Sequence, residues 1–339
     1  MERKPEQIHP DRWLKDLPPR EEQTEGYKAE EMLACPKCGR LSPPNRLGCF
    51  YCNAELPVAD TKFTKLNLRR LEIWEKGFNV IFLPDNSDFD ETKVSESGAF
   101  LRLESEVLAE ILDSKKPLPI ARVESEREAE IIVRRLAEGG VKSFVLSDEK
   151  LQPEIVPRRL RELEFTNNKL NLILFNSGEI EAMTPEDLCL IVTGALFERK
   201  IRSIEKHNRK KENKILETAE ISLDEPLIDV YNRRDAIGYR IAVKGFDFSC
   251  LGAEKQLFAA ENMKRLAERL RAFAPHAKLN DDYCRLRGVL SRVWELEEKR
   301  DSKGVQKKSF GSGLNIESVT TVDNALQFIK YSRLQRHLL

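Results

Sequence analysis

Residues 35–52 read CPKCGRLSPPNRLGCFYC, a stretch with two Cys-x-x-Cys pairs separated by ten residues. The two-residue spacer of such a pair directs both sulfurs toward one centre. Two pairs together supply four thiolates in the tetrahedral arrangement that Zn2+ accepts, with Zn–S bonds of about 2.3 Å. We therefore predict that Cys35, Cys38, Cys49 and Cys52 hold one metal ion.

The residues that follow each pair fit this interpretation, because Gly39 and Asn53 are types that tolerate a left-handed backbone. Two alternatives remain open. The cysteines could form two disulfides, but this requires an oxidising compartment, and the opening sequence MERKPEQIHPDRW has no apolar core typical of a secretory signal. Iron could occupy the same shell. Four thiolates leave no open coordination position, so we expect one structural Zn2+ ion.

Residues 34–57, which contain CPKCGR and CFYCNAELP, resemble the zinc-ribbon family. The resemblance implies metal binding. In large multidomain bacterial proteins it also implies a module that docks a partner or staples the fold. Asn53 departs from the family, which usually has glycine at this position.

The composition argues against several classes of protein. The chain has 339 residues, and its 57 basic and 57 acidic side chains cancel. No global field therefore attracts it to nucleic acid or to an anionic membrane. No apolar run approaches the roughly 18 residues that a membrane span needs. We expect a cytoplasmic protein without a membrane span.

Shifts in composition and periodicity predict an α+β multidomain chain with five segments. These are a disordered or weakly helical tail (1–33), the four-cysteine zinc ribbon (34–58), a small α/β domain (59–152), an antiparallel β domain with a closing helix (153–275) and a short α/β C-terminal region of helix, hairpin and helix (276–339).

The clearest β-α-β pattern begins at residue 118. Residues 118–123 and 142–146 are typical of strands, and Ser125 with Glu128 forms a capping box for the helix between them. Residues 118–151 (PIARVESEREAEIIVRRLAEGGVKSFVLSDEKL from Pro119) also resemble a small bacterial family of signal-transducing domains. That resemblance implies a ferredoxin-like half-sandwich and no particular chemistry.

Residues 158–275 show a hairpin, two further turns, an alternating strand at 237–243 and a final amphipathic helix. This order resembles the pleckstrin-homology-like fold, a likeness that implies architecture and not function. Beyond it we expect a helix, a hairpin turning at 301–304 and a last helix. Residues 330–333 (KYSR) mix charge with an aromatic ring, which suits either a partner surface or the core.

The residues offer little support for catalysis. The chain lacks the spacings of common phosphate-binding, metalloprotease and serine-hydrolase motifs, and its four histidines are scattered. The run at 199–214 (RKIRSIEKHNRKKENK) is strongly basic and reads in part as a loop that could contact anions or nucleic acid. Its candidate contact residues are Arg199, Lys200, Arg202, Lys206, Arg209, Lys210 and Lys211.

The favoured hypothesis is a non-enzymatic zinc-ribbon adaptor or regulatory protein with an unidentified protein partner. The alternative is a nucleic-acid-binding protein that uses the ribbon and the basic 199–214 stretch. An enzyme of unknown type is the third hypothesis.

Overall fold

The computed structural model of this chain describes residues 28, 30, 32–44, 46–52, 54–57, 69, 71–85, 89–101, 103–206, 214–307 and 314–339. The chain divides into two units, residues 1–67 and 68–339. The described part has the mixed α+β character that the sequence predicts, with several antiparallel sheets. Most of the predicted tail over 1–33, and Asn53, lie outside the described residues.

The first unit contains two short hairpins. Strand β1 (Leu33–Ala34) pairs antiparallel with β2 (Leu41–Ser42). An isolated bridge then joins Gly48 to Glu55. Each hairpin encloses one Cys-x-x-Cys turn. In each of them the backbone pairing holds the two ends of that turn close together.

The second unit begins with a three-stranded sheet and its helices. The elements are β3 (Phe78–Phe82), α1 (Glu91–Leu101), α2 (Ser105–Asp113), β4 (Pro119–Val123), α3 (Glu126–Glu138), β5 (Ser143–Ser147) and α4 (Asp148–Leu151). The strand order is β4-β3-β5. The central strand pairs antiparallel with both neighbours, and helix α3 crosses from β4 to β5. Ser125 and Glu128 form the predicted capping box at the start of α3.

A larger sheet follows, with nine strands among the described residues. The elements are β6 (Arg158–Phe165), β7 (Leu170–Leu174), β8 (Ile180–Met183), β9 (Leu188–Lys206), β10 (Lys214–Asn232), β11 (Tyr239–Ala242), α5 (Ala259–Phe273), β12 (Lys278–Asn280), α6 (Tyr283–Leu290), β13 (Glu297–Lys307), β14 (Leu314–Asp323) and α7 (Ala325–His337). The strand order is β13-β14-β9-β10-β11-β6-β7-β8, and β12 also pairs with β9.

Strands β9 and β10 have 19 residues each. Within the basic stretch 199–214, residues 199–206 belong to β9 and Lys214 begins β10. The middle of the stretch, where we expected a loop, lies outside the described residues. The hairpin turn expected at 301–304 is wrong, because the register of β13 against β14 only shifts between Ser302 and Val305 and pairing continues to Lys307. Strand β13 is rich in charged residues, and the apolar alternation that would reveal a strand is weak in it.

The last helix, α7, is buried although its sequence is polar. Residues 327–335 are all buried, including five polar side chains. These side chains have partners on the larger sheet, on other helices or in loops: Lys330 reaches Asp148 at 3.1 Å, and the hydroxyl of Ser332 lies 2.8 Å from that of Tyr231. Of the two interpretations of residues 330–333, the core is therefore confirmed and the partner surface is wrong.

Lys330 belongs to a group of residues, here called the Asp148 cluster, that also includes Asn79, Arg122 and Asp148. Arg122 donates to Asp148 Oδ2 from Nε at 2.9 Å and from Nη2 at 2.7 Å, and Asn79 Nδ2 donates to Oδ1 at 3.0 Å. Burial raises the pKa of Asp148, but the charges of Lys330 and Arg122 outweigh it and hold this pKa below its usual value. Burial lowers the pKa of Lys330 to about 8, against the opposing effect of Asp148.

Gly194 in β9 lies beneath aromatic rings of the core. A Cβ added there would meet Phe328 Cε2 at 2.3 Å and Tyr283 Cδ1 at 3.0 Å. The Phe328 and Tyr283 rings pack edge to face with centroids 4.8 Å apart, so neither can move freely. We expect Gly194→Ala to lower the free energy of unfolding by about 1–3 kcal/mol, measured by urea denaturation.

Gly288 in α6 provides the matched control. A Cβ added there meets nothing within 4 Å. Alanine is the better helix former, so Gly288→Ala should raise the free energy of unfolding by about 0.5–1 kcal/mol. Equal decreases in the free energy of unfolding for Gly194→Ala and Gly288→Ala would contradict the close packing of Gly194 against the aromatic rings.

Candidate metal centre

The structure brings together the sulfurs of Cys35, Cys38, Cys49 and Cys52. Their four Sγ atoms all lie within 4.8 Å of one another. The Cys35–Cys52 and Cys38–Cys49 pairs are each 3.6 Å apart. Tetrahedral coordination with bonds of about 2.3 Å places sulfurs about 3.8 Å apart, whereas a disulfide bond is about 2.05 Å long. The cluster therefore has the dimensions of a four-thiolate metal site and could hold a metal ion.

The two Cys-x-x-Cys turns share two kinds of hydrogen bond. The amides of Cys35 and Cys49 donate to the carbonyls five residues later, Arg40 at 2.9 Å and Ala54 at 2.8 Å. The amides of Lys37 and Tyr51 donate to the preceding cysteine sulfurs, each at 3.4 Å. Gly39 adopts the expected left-handed conformation, with φ +69°. The local backbone therefore orients all four sulfurs toward one centre.

Ser42 supports the second turn, a role that no sequence pattern indicated. Its buried hydroxyl donates to Cys49 Sγ at 3.5 Å and accepts from the Phe50 amide at 3.2 Å. The hydrogen bond from the Ser42 hydroxyl to Cys49 Sγ, against a smaller opposing effect of desolvation, lowers the pKa of Cys49 to about 6. The spacing of seven residues between Ser42 and Cys49 depends on how β2 approaches the turn, and the sequence alone does not reveal that approach.

The electrostatics of the other sulfurs depend on the same turns. Backbone donation at Cys38 lowers the pKa of Cys35, against desolvation. Donation from the Ala54 amide lowers the pKa of Cys52, but desolvation and its three neighbouring sulfurs outweigh it and raise this pKa to about 12. A cation at the centre would offset the repulsion among four thiolates. With all four sulfurs bound, it would have no position left for a substrate.

Residues between and beside the cysteines form an exposed group, here called the knuckle surface: Arg40, Arg46, Phe50 and Tyr51. Phe50 is 66% exposed and Tyr51 is 55% exposed. Their rings meet edge to face at 5.4 Å and 81°. The Arg40 guanidinium lies 4.8 Å from the Tyr51 ring centre, and that of Arg46 lies 5.4 Å from the Phe50 ring centre. Phe50 and Tyr51 lie between Cys49 and Cys52, and these two cysteines hold both ends of the turn at the sulfur cluster. The rings therefore stay on the surface.

The basic residues of 199–214 do not form one patch in the described part of the chain. Successive side chains of a strand alternate between its faces, so Arg199 points away from Lys200 and Arg202. Arg199 Nε lies 2.8 Å from Glu220, and Lys200 Nζ lies 2.9 Å from Glu198. The backbone of Lys206 ends β9. Arg209, Lys210 and Lys211 lie outside the described residues.

Comparison with protein-family models, with curated proteins and with solved structures returned no match to this chain. The resemblances to signal-transducing and pleckstrin-homology-like domains therefore stay predictions. Within the described residues, no helix has the length and apolar character needed to cross a membrane.

Proposed function

We propose that this protein is a non-enzymatic adaptor or regulatory protein. One structural Zn2+ ion in a zinc ribbon holds the knuckle surface in place to bind another protein. The geometry of the four sulfurs supports the metal, and zinc is the borderline-soft ion that four thiolates commonly hold in structural sites. The exposed Phe50–Tyr51 pair is the observation that carries the proposal.

The knuckle surface has the residue types that dominate binding energy at protein interfaces. Aromatic residues and arginine are enriched among such positions. In the described part of the chain, neither the Arg40 nor the Arg46 guanidinium has a hydrogen bond or an ion pair. A guanidinium stacked on a ring keeps its N–H edge available for a carboxylate or carbonyl of a partner. The surface thus combines apolar area with two unused sets of donors.

The same proposal includes the finer architecture. Strand β3 lies between β4 and β5, and helix α3 connects these two outer strands. This arrangement supports a ferredoxin-like unit. Strands β6 to β11, followed by α5, support a PH-like β domain with a closing helix. Both architectures occur in modules that bind other proteins, but fold does not imply function.

The double substitution Phe50→Ala and Tyr51→Ala tests the proposal. Proteins captured from a native lysate by the full chain should decrease at least about tenfold with the variant, because two anchor residues are lost. Quantitative mass spectrometry measures the capture, and metal content should stay at one zinc per chain. Trp74→Ala is the control, since Trp74 is an exposed ring of the second unit. Unchanged capture by the double variant would contradict the proposal.

Nucleic-acid binding is the second candidate, because exposed rings and arginines also stack on bases. The 81° angle between the Phe50 and Tyr51 rings argues against it, since neighbouring bases could not stack on both. Two arginines also neutralise few phosphates. We expect no salt-dependent shift of a single-stranded oligonucleotide in a mobility assay. A steep salt dependence that is lost with Arg40→Ala and Arg46→Ala would favour this candidate instead.

A further inference from the structure

The ribbon has an excess of basic side chains around the knuckle surface. Residues 34–57 contain one acidic side chain, Glu55, and three basic ones: Lys37, Arg40 and Arg46. Four thiolates around a Zn2+ ion would add negative charge at the centre. However, Cys35 and Cys49 are buried and accept backbone amides, so this charge is held inside the turns. The charge that the ribbon presents to solvent beside its two exposed rings is therefore positive.

The rings keep the two guanidiniums of the knuckle surface near each other. The Arg46 guanidinium lies 5.4 Å from the Phe50 ring centre, and the two ring centres are also 5.4 Å apart. The Arg40 guanidinium lies 4.8 Å from the Tyr51 ring centre. These separations place the two guanidiniums at most about 16 Å apart, a distance that roughly five residues of an extended peptide span. One short segment can therefore reach both.

Stacking prepares each guanidinium to bind an anion. A ring against its face restricts the flexible arginine side chain, so less conformational entropy is lost when a ligand binds. The N–H groups at the edge of a guanidinium match both oxygens of a carboxylate. Exposed ion pairs by themselves contribute little affinity. Contact with the rings must therefore supply most of the affinity, and the two positive charges select which partner binds.

We propose, on the basis of the function proposed above, that the knuckle surface binds an acidic peptide segment of its partner. In this segment two carboxylates, within about five residues of each other, flank an apolar side chain. The carboxylates pair with Arg40 and Arg46, and the apolar side chain lies against Phe50 and Tyr51. A basic segment would be repelled, and an uncharged one would leave both guanidiniums without an anion.

Selection of peptides from a random library displayed on phage, with the full chain as bait, tests this chemistry. The selected peptides should contain two acids on either side of an apolar residue. Fluorescence anisotropy then measures the dissociation constant of one selected peptide. This constant should rise at least about tenfold when both acids are replaced by glutamine, and it should rise with salt, which screens exposed charges. Selection of no peptide, or of basic or uncharged peptides, would overturn the proposal.

Variants of the knuckle surface test the role of the stacked guanidiniums. Arg40→Gln combined with Arg46→Gln should weaken binding of the acidic peptide at least about tenfold. Lys37→Gln is the matched control, because Lys37 is an exposed cation of the same ribbon that stacks on no ring in the described part of the chain. It should change the dissociation constant less than about twofold. Each variant should retain one zinc per chain. Equal losses from Lys37→Gln and from the arginine variant would overturn the proposal.

Failure of this inference can be distinguished from failure of the proposed function. Phe50→Ala with Tyr51→Ala could abolish capture of proteins from a lysate while the arginine variant retains it. The proposed function would then stand, and the acidic segment would be wrong. Unchanged capture by both variants would contradict both proposals. Tighter binding of a single-stranded oligonucleotide than of the acidic peptide, through the same two arginines, would also overturn this inference.

Discussion

Cys38→Ser, or treatment with a strong chelator, is expected to remove the metal and unfold the first unit. The described part of that unit has two strands of two residues and one bridge, and its buried apolar side chains besides the cysteines are Leu47 and Leu56. So small a core cannot offset the conformational entropy of the chain. Structural zinc sites supply about 10–16 kcal/mol of apparent binding free energy in small metal-dependent domains. Folding and metal binding should therefore be coupled here.

The measurement combines metal analysis by mass spectrometry with thermal unfolding. We expect one zinc per chain. The first unit should unfold in its own transition, at a lower temperature than the second unit, and this transition should be lost once the metal is removed. The transition of the second unit should stay within experimental error. Cys284→Ser is the control, because Cys284 is an exposed cysteine of α6 outside the cluster. Full metal occupancy in Cys38→Ser would contradict the four-thiolate site, and iron in place of zinc would contradict the identity of the metal.

Asp148→Asn is expected to destabilise the second unit by about 3–5 kcal/mol. The Asp148 cluster contains two cations, Arg122 and Lys330, and one carboxylate. All three charged side chains are at least nine-tenths buried. Removal of the carboxylate charge leaves two uncompensated cations in an apolar environment. It also weakens the acceptor for Asn79 and for the Gly77 amide, which donates to Asp148 at 3.1 Å.

Lys330→Met is the informative comparison. It removes one cation and leaves the Arg122–Asp148 pair balanced, so the expected loss is about 1 kcal/mol. Urea denaturation followed by tryptophan fluorescence measures both variants, since Trp294 is buried and donates to Asn79 at 2.8 Å. Equal losses in Asp148→Asn and Lys330→Met would show that packing, and not charge balance, determines the stability of this cluster.

The four-cysteine cluster was predictable because its geometry is local. Each Cys-x-x-Cys turn orients its own two sulfurs through hydrogen bonds that span at most five residues, and Gly39 permits the left-handed conformation. The start of α3 was predictable for the same reason, since Ser125 and Glu128 cap each other within one turn. In both cases the residues that determine the structure are near neighbours in the chain.

The burial of α7 and the extent of β10 were not predictable in this way. A helix with Gln327, Lys330 and Arg333 on its surface has no apolar face that marks it as core. It is buried because Asp148, Tyr231 and the carbonyl of Leu151 supply partners from distant parts of the chain. Similarly, the first half of β10, which the sequence did not mark as a strand, is strand because β9 pairs with it.

The sequence by itself determined the four-cysteine cluster and the capped α3 helix, because short-range hydrogen bonds specify both. Tertiary structure alone decided which charged segments are buried or paired. The free energy of a buried charge depends on whether a partner reaches it. For Lys330 that partner is Asp148, which precedes the whole of the larger sheet in sequence. Within the described residues, tertiary structure also decided that β11 pairs with only four residues of β10.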